Sequence, residues 1–373
     1  MRITAITTYP VQIPLKPIRR MISSLGQHVV SAYVLVRVET DAGIEGIGEA
    51  TVMPRWSGET VWSAQAVIDN LFASALDGAD PFDLEGVNRR MDAAAQDNWF
   101  AKAAIEMACW DIQGKDAGKP VYDLLDGAVR DRQIKCRFSM GAYPPERVRS
   151  TVPDLIAAGF STIKVKVGTD IAADVERVSI VREIIGPSRE IVIDANCGYD
   201  VRSAIEAAGR MEKYGVSLFE QPTPRHDYEG LAEVRNAVSM PVMADDIVFD
   251  VGQAVECLRH EAVDVISIYP GKCGGISHCR EISRLAEEQG VACSIGSNLE
   301  LDVASAAMCH LVVGTGNMQV ETYPGDILGP EYHETSIASE PLRIDGPVIE
   351  TPDRPGLGIE IDWNVVEQVR FSG

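Results

Sequence analysis

From about Ile134 onward the sequence alternates short β-branched runs with amphipathic stretches of helical period, eight times over, with only brief turns between them. The pattern predicts strands over Ile134–Met140, Thr162–Val167, Glu190–Asp194, Val216–Glu220, Val242–Asp245, Val263–Tyr269 and Ala292–Ile295, and a last one near Met318–Thr322. Helical segments are predicted at 174–185, 201–214, 228–238, 254–260 and 276–289. Eight strand–helix units favour a closed parallel barrel of TIM type over an open sheet. No GxGxxG follows any of these strands, so a dinucleotide-binding sheet has no positive support.

The residues before this array read as mixed α+β. Positions 3–13 and 31–46 alternate like antiparallel strands, with Asp41-Ala42-Gly43 as a hairpin turn. Helices are predicted at 60–75 and 100–117, the second stopped by Gly118-Lys119-Pro120. The tail from about Gly346 is rich in Pro and Gly. We expect an α+β domain over 1–130, a (β/α) barrel carrying the site over 131–325, and a C-terminal segment, 326–373, that returns to the first domain.

Charge narrows the partners. The 55 Asp and Glu outnumber 34 Lys and Arg, a formal net charge of −21, which argues against nucleic acid or an anionic membrane surface. A small anionic substrate stays compatible, because a metal and two lysines reverse the field inside one pocket. The N-terminus lacks the pattern of a signal peptide, and no run approaches the roughly 18 apolar residues of a membrane span. Eight cysteines without a CxxC pair and six histidines without metal-type spacing disfavour zinc ribbons and disulfide frameworks. A cytoplasmic location is the expectation.

Strands of a parallel barrel are buried on both faces, so charged residues within them are informative. In Thr162-Ile163-Lys164-Val165-Lys166-Val167 the two lysines stand at i and i+2 and share one face, pointing into the barrel mouth. Mutual repulsion in a low-dielectric pocket is expected to lower the pKa of at least one of them, suiting it to act as a base near neutrality. The bland alternative is a solvated edge strand, which the apolar flanks oppose. The next three strands each end in a carboxylate: Asp194, Glu220 and Asp245, spaced 28, 26 and 25 residues apart counting from Lys166. Any one of them alone would read as a helix cap. Three at equivalent positions converge on the C-terminal rim, where they repel unless a cation bridges them. Hard oxygen donors favour Mg²⁺, with Mn²⁺ possible.

With these residues in place, the sequence resembles the enolase superfamily in its muconate-lactonizing (muconate cycloisomerase) subgroup, along essentially its whole length. The matching segments are Lys164-Val165-Lys166, Asp194-Ala195-Asn196, Glu220-Gln221-Pro222, Ala244-Asp245-Asp246, Gly274-Gly275-Ile276 and the helix Ala101–Asp111. The resemblance implies that Asp194, Glu220 and Asp245 bind the metal, Lys166 is the acid/base and Lys164 supports it. It also implies that the first domain is a cap, with loops near 19–27 and 53–60 closing over the substrate. Pro54-Arg55-Trp56-Ser57-Gly58-Glu59-Thr60 is particularly similar to the muconate-cycloisomerase loop. The pattern departs at strand six, where relatives carry a second catalytic lysine five residues before the Gly-Gly pair and this sequence has Tyr269. Lys272 follows three residues later, Asp246 stands where Glu is common, and strand seven offers no histidine base.

Racemisation needs a base on each face of the carbon next to the carboxylate, so Tyr269 opposite Lys166 favours one-base chemistry unless tyrosinate or Lys272 substitutes. Muconate-type cycloisomerisation is the first expectation, then hydroxy-acid or acid-sugar dehydration, then racemisation of amino-acid derivatives. Candidate substrate contacts are Asn196, Ser297, Glu300, Trp56 and Asp326, with Arg19, Arg20 and Arg55 as grips for a distal carboxylate. A class I aldolase also places a lysine on a barrel strand, but has no need of three carboxylates; a degenerate barrel kept for binding is the non-enzymatic alternative. A closed homo-oligomer is the expected assembly.

Overall fold

The structure, a computed structural model, describes residues 1–371. Five strands come first: β1 (Ile3–Pro14), β2 (Met21–Ser23), β3 (Gly26–His28), β4 (Val30–Thr40) and β5 (Glu45–Val52). Strands β1, β4 and β5 form an antiparallel sheet with β4 in the middle, and β2 and β3 pair as a separate hairpin. The helix Trp99–Ala117 lies on β5 and is almost wholly buried. That packing needs glycine: a Cβ on Gly46 would stand 2.0 Å from the Ala108 carbonyl oxygen, and one on Gly48 would stand 1.7 Å from that of Ala104. The helix ends where expected, at Gly118 in the left-handed region (φ 64°).

The remaining strands are β6 (Gln133–Lys135), β7 (Phe138–Met140), β8 (Thr162–Lys166), β9 (Glu190–Asp194), β10 (Val216–Glu220), β11 (Val242–Ala244), β12 (Val265–Ile268), β13 (Ala292–Ile295), β14 (Ile344–Asp345) and β15 (Val348–Glu350). Strands β7 to β13 pair in sequence order as one parallel sheet, the barrel, with helices between them. Two strand expectations change. The run 134–140 splits at Cys136 and Arg137, whose N–H groups bond to Pro347 and Gly325; β6 instead pairs antiparallel with β15 of the tail hairpin. The eighth strand shrinks to one parallel bridge, Cys293 to Met318, because residues 319–323 bond back on themselves as turns.

Inside the barrel, Val192, Leu218, Met243, Val265 and Ala292 form their own apolar cluster, one residue from each of β9 to β13. Alternate residues such as Ile191, Ile193, Phe219 and Val242 join the larger core toward the helices. The two portions of the chain are joined by buried acids. Glu49 on β5 accepts from the N–H groups of Leu301 (2.8 Å) and Ala304 (3.0 Å), capping the barrel helix Asp302–Val313. Glu106 does the same for the helix Ile276–Glu288 through Ile276 (2.8 Å) and Ser277 (2.9 Å). The tail crosses back, with a bridge from Val11 to Arg370 and the Trp363 ring 4.6 Å from that of Tyr9.

Candidate active site and metal centre

The pleat decides what enters the barrel mouth. Asp194, Glu220 and Asp245 each follow an interior apolar residue, Val192, Leu218 or Met243, by two positions, so they project inward one layer above that plug. Lys166 pairs across the ladder with Asp194, and Asp194 with Glu220, so these three stand level. Asp245 does not share that level: Glu220 pairs with Met243, and the stagger of the barrel sets Asp245 two residues beyond.

Asp194, Glu220, Asp245 and Asp326 at this mouth each have a cationic partner. Lys166 Nζ donates to Asp194 Oδ2 (2.5 Å) and to Asn196 Oδ1 (2.6 Å). Lys164 Nζ donates to Glu220 Oε1 (2.9 Å), lies 3.2 Å from Asp194 Oδ2 and contacts Asp326. Lys272, fully buried, donates to Asp245 Oδ1 (2.9 Å) and to the carbonyls of Asp245 and Ser267, both at 2.8 Å. The Arg137 guanidinium spans Glu220 and Asp326. Among the described residues, no three Asp, Glu, His or Cys side chains are already gathered as a cation cage. The carboxylates turn toward ammonium and guanidinium groups, because buried negative charges must be neutralised by something.

The charges still leave a demand for a cation. Five acids at the mouth, Asp194, Glu220, Asp245, Asp246 and Asp326, face four bases, Lys164, Lys166, Lys272 and Arg137. Burial pushes the Glu220 carboxyl up to about 8 against the pull of Arg137, with Asp194 and Asp245 raising it further. Burial and the charges of Asp245 and Asp194 bring Asp246 to about 7. Asp194 goes the other way: burial opposes its charge, but Lys166 and Lys164 outweigh it. A hard divalent cation suits such an excess of carboxylate oxygens, so the donor set fits the expected metal. The lowered lysine pKa expected from repulsion does not occur at Lys164. Burial disfavours its charge, but Asp326 and Glu220 more than compensate and raise it.

Above these groups lies a cavity of about 400 Å³, roofed by the β2–β3 hairpin and the loop after β5. Lys164, Lys166, Glu220, Asp245, Tyr269 and Asp326 line it, as do Asn196, Ser297 and Trp56. Much of the remaining wall is apolar, including Met21, Leu25, Val29, Met53 and Leu299. Trp56 Nε1 donates to Asp246 Oδ1 (2.6 Å), and its ring stacks on Tyr269 with centroids 5.9 Å apart and planes 6° from parallel. Burial, then Asp245 and Glu300, drive the Tyr269 phenol well above its usual pKa, so it stays protonated.

Five candidates fall outside the cavity walls: Asp194 and Lys272, both fully buried, and Glu300, Arg19 and Arg20. Arg19 stacks its guanidinium over Phe138 (4.8 Å) and belongs to a separate hollow; Arg20 does not reach the cavity either, and its carbonyl is held by Arg147. Glu300 is buried behind the wall, accepting from Ser297 Oγ (2.6 Å) and the Asn298 N–H (2.8 Å). Arg55 does line the cavity. Sequence reasoning missed Arg137, although the signal that marked the lysines, a charge inside a barrel-strand pattern, was present there too. It also passed over Gln221, whose Oε1 accepts from the N–H groups of Asp245 (2.9 Å) and Ile247 (3.2 Å) and ties the end of β10 to that of β11. Positive φ at Asn196 (40°), Gln221 (36°) and Leu299 (62°) clusters at the mouth, a backbone feature that residue type does not announce for Gln or Leu.

Comparison with known proteins gives two family matches: residues 3–126 to the "Mandelate racemase / muconate lactonizing enzyme, N-terminal domain" and residues 147–365 to "Enolase C-terminal domain-like". A dipeptide epimerase from Enterococcus faecalis, solved with Mg and L-Leu-L-Tyr, is 32% identical over 96% of this chain and 100% of its own, with a TM-score of 0.91. The 2-chloromuconate cycloisomerase of Rhodococcus opacus superposes over 100% of both chains at 30% identity, with a TM-score of 0.95. A cis-3-hydroxy-L-proline dehydratase from Roseibium aggregatum is 31% identical over 100% of each chain.

Proposed function

The chain belongs to the mandelate racemase and muconate lactonizing enzyme family of the enolase superfamily, and from that premise we propose that it is a Mg²⁺-dependent enzyme moving a proton on one face of the carbon next to a substrate carboxylate. The observation that carries this reading is the asymmetry of the cavity. One wall presents the Lys166 amine; the other presents the Tyr269–Trp56 stack, with no free amine. In this reading Tyr269 takes the place of the strand-six lysine of relatives and acts as a wall.

Asp194, Glu220 and Asp245 would hold the cation, which when bound stabilises negative charge building on the substrate carboxylate. Lys166 Nζ takes or returns the proton at the adjacent carbon, held in place by Asp194 and Asn196. Lys164, kept protonated by its acids, adds fixed positive charge beside the same carboxylate. Trp56 and the apolar roof exclude water. Lys272 is no second base, because all three of its N–H donors are already engaged.

One-face chemistry of this kind is β-elimination or its reverse. The C–H electrons form the new double bond and a group leaves the next carbon on the side of Lys166. The first reading is a lactone-forming cycloisomerase, which runs this step in reverse: the substrate's own second carboxylate adds to one carbon of a double bond, and Lys166 delivers the proton to the other, next to the first carboxylate. Arg55 at the cavity wall supports it, as a cation with no acid partner within salt-bridge distance among the described residues. The loss of Arg19 and Arg20 as grips leaves Arg55 to carry that role, since burial and the Arg55 charge bring His28 down to about 4 and keep it neutral. Dehydration of a hydroxy acid is the second reading, supported by the full-length likeness to the hydroxyproline dehydratase.

Incubating the protein with Mg²⁺ and panels of muconates, lactones, hydroxy acids and N-acyl amino acids in D₂O tests the reading. Turnover that EDTA abolishes and Mg²⁺ restores, with deuterium placed on a single face, is expected. Deuterium in recovered substrate of inverted configuration would overturn the one-base mechanism.

A further inference from the structure

Arg137, between β6 and β7, is fully buried and lies behind the cavity wall rather than lining it. Its Nη2 lies 2.6 Å from Glu220 Oε2 and 3.3 Å from Asp326 Oδ2, and its Nε lies 2.8 Å from Asp326 Oδ1. Lys164 closes a ring from the other side, bonding Glu220 Oε1 at 2.9 Å and contacting Asp326. Two cations and two carboxylates thus alternate around a square: Arg137 just before β7, Lys164 within β8, Glu220 at the end of β10 and Asp326 in the segment after β13. Among the described residues Arg137 Nη1 has no hydrogen-bond partner, a cost that an apolar residue at this place would avoid.

We propose that Arg137 is a positioning residue for the divalent-cation site. The two-point contact with Asp326 locks the guanidinium plane, and the locked Nη2 claims Oε2 of Glu220. The carboxylate is thereby fixed in rotation, and Oε1 of Glu220, which already accepts from Lys164, is left as the oxygen that would also serve a cation. This inference rests on Glu220 being a cation ligand. An ammonium at the same place keeps the charge but, as a compact point donor, cannot hold both acids in one plane.

The test is Mg²⁺ binding by isothermal titration calorimetry on the metal-stripped full chain, with folding checked by circular dichroism. Arg137→Lys preserves the charge and removes the fork; Mg²⁺ Kd is expected to weaken by roughly 10–100-fold, the usual cost of losing a partner that orients a ligand. Asp326→Asn frees the fork from its anchor and is expected to weaken binding in the same direction, which carries the test if the lysine variant does not fold. A purely structural role would lower Tm and leave Kd of the folded protein unmoved, so a Kd within twofold of the parent overturns the inference. If the parent itself binds no Mg²⁺, the metal reading falls; if the parent binds and the variants match it, only the role of Arg137 falls.

Discussion

Lys272 gives all of its donors to the end of β11 and to β12: Nζ lies 2.9 Å from Asp245 Oδ1, 2.8 Å from the Asp245 carbonyl and 2.8 Å from that of Ser267. Both partners are largely withdrawn from water, Asp245 being only 6% exposed and Lys272 fully buried. Breaking such a pair from one side strands a buried charge, at about 3–5 kcal/mol. Lys272→Met is therefore expected to lose that much stability in urea unfolding, and added Mg²⁺ is expected to recover part of it by facing Asp245 in place of the ammonium. A variant as stable as the parent would show that the pair does not hold Asp245.

Lys166 is the one amine of the mouth that is only partly buried, and its two partners aim it at the cavity. On the substrate found by screening, Lys166→Met is expected to lower kcat by roughly 10²–10⁴-fold, the ordinary worth of a positioned acid/base. Mg²⁺ affinity should change little by comparison. Unchanged turnover would remove Lys166 from the reaction.

Tyr269 closes the opposite wall with its ring stacked on Trp56, and its phenol stays protonated. Tyr269→Phe keeps the ring and deletes the hydroxyl. A wall loses little by this, so kcat is expected to fall less than about tenfold, well short of the loss of a general acid. A deficit comparable to that of Lys166→Met would make the phenol a proton carrier.

His310 is a pH sensor of stability rather than of chemistry. Its Nδ1 lies 3.3 Å from the Tyr122 N–H and its Nε2 lies 3.1 Å from the Leu357 carbonyl, an arrangement that suits one neutral tautomer. Burial brings its pKa down from 6.5 to about 4, so the folded state disfavours the imidazolium. Stability is fully present above pH 6.5 and lost as pH falls toward 4, by about 3 kcal/mol at this site. His310→Gln, which does not titrate, is expected to flatten that part of the stability–pH profile in denaturant melts; a slope identical to the parent would locate the titration elsewhere.

Strands β9, β10 and β13 fall where the β-branched runs place them, and Lys164, Lys166, Asp194 and Glu220 share the interior face that a two-residue period assigns them. These are local facts, carried by neighbouring side chains on one strand. What failed or went unseen depends on groups far apart in the chain. Asp326 reads only as a substrate contact until Arg137 and Lys164 close on it; the Lys164–Lys166 pair reads as two repelling amines until three acids surround Lys164. Arg19 reads as a substrate grip until the Phe138 ring takes its guanidinium.

The sequence by itself determined the barrel pattern, the order of the strands and which side chains face inward, because period and propensity act over a few residues. Only the tertiary structure decided the charge state of each buried group, the stagger of Asp245 against Glu220 and the membership of the cavity wall. Those depend on burial and on the distance to charges brought from other strands, and a buried ion's energy is set by its neighbours in space.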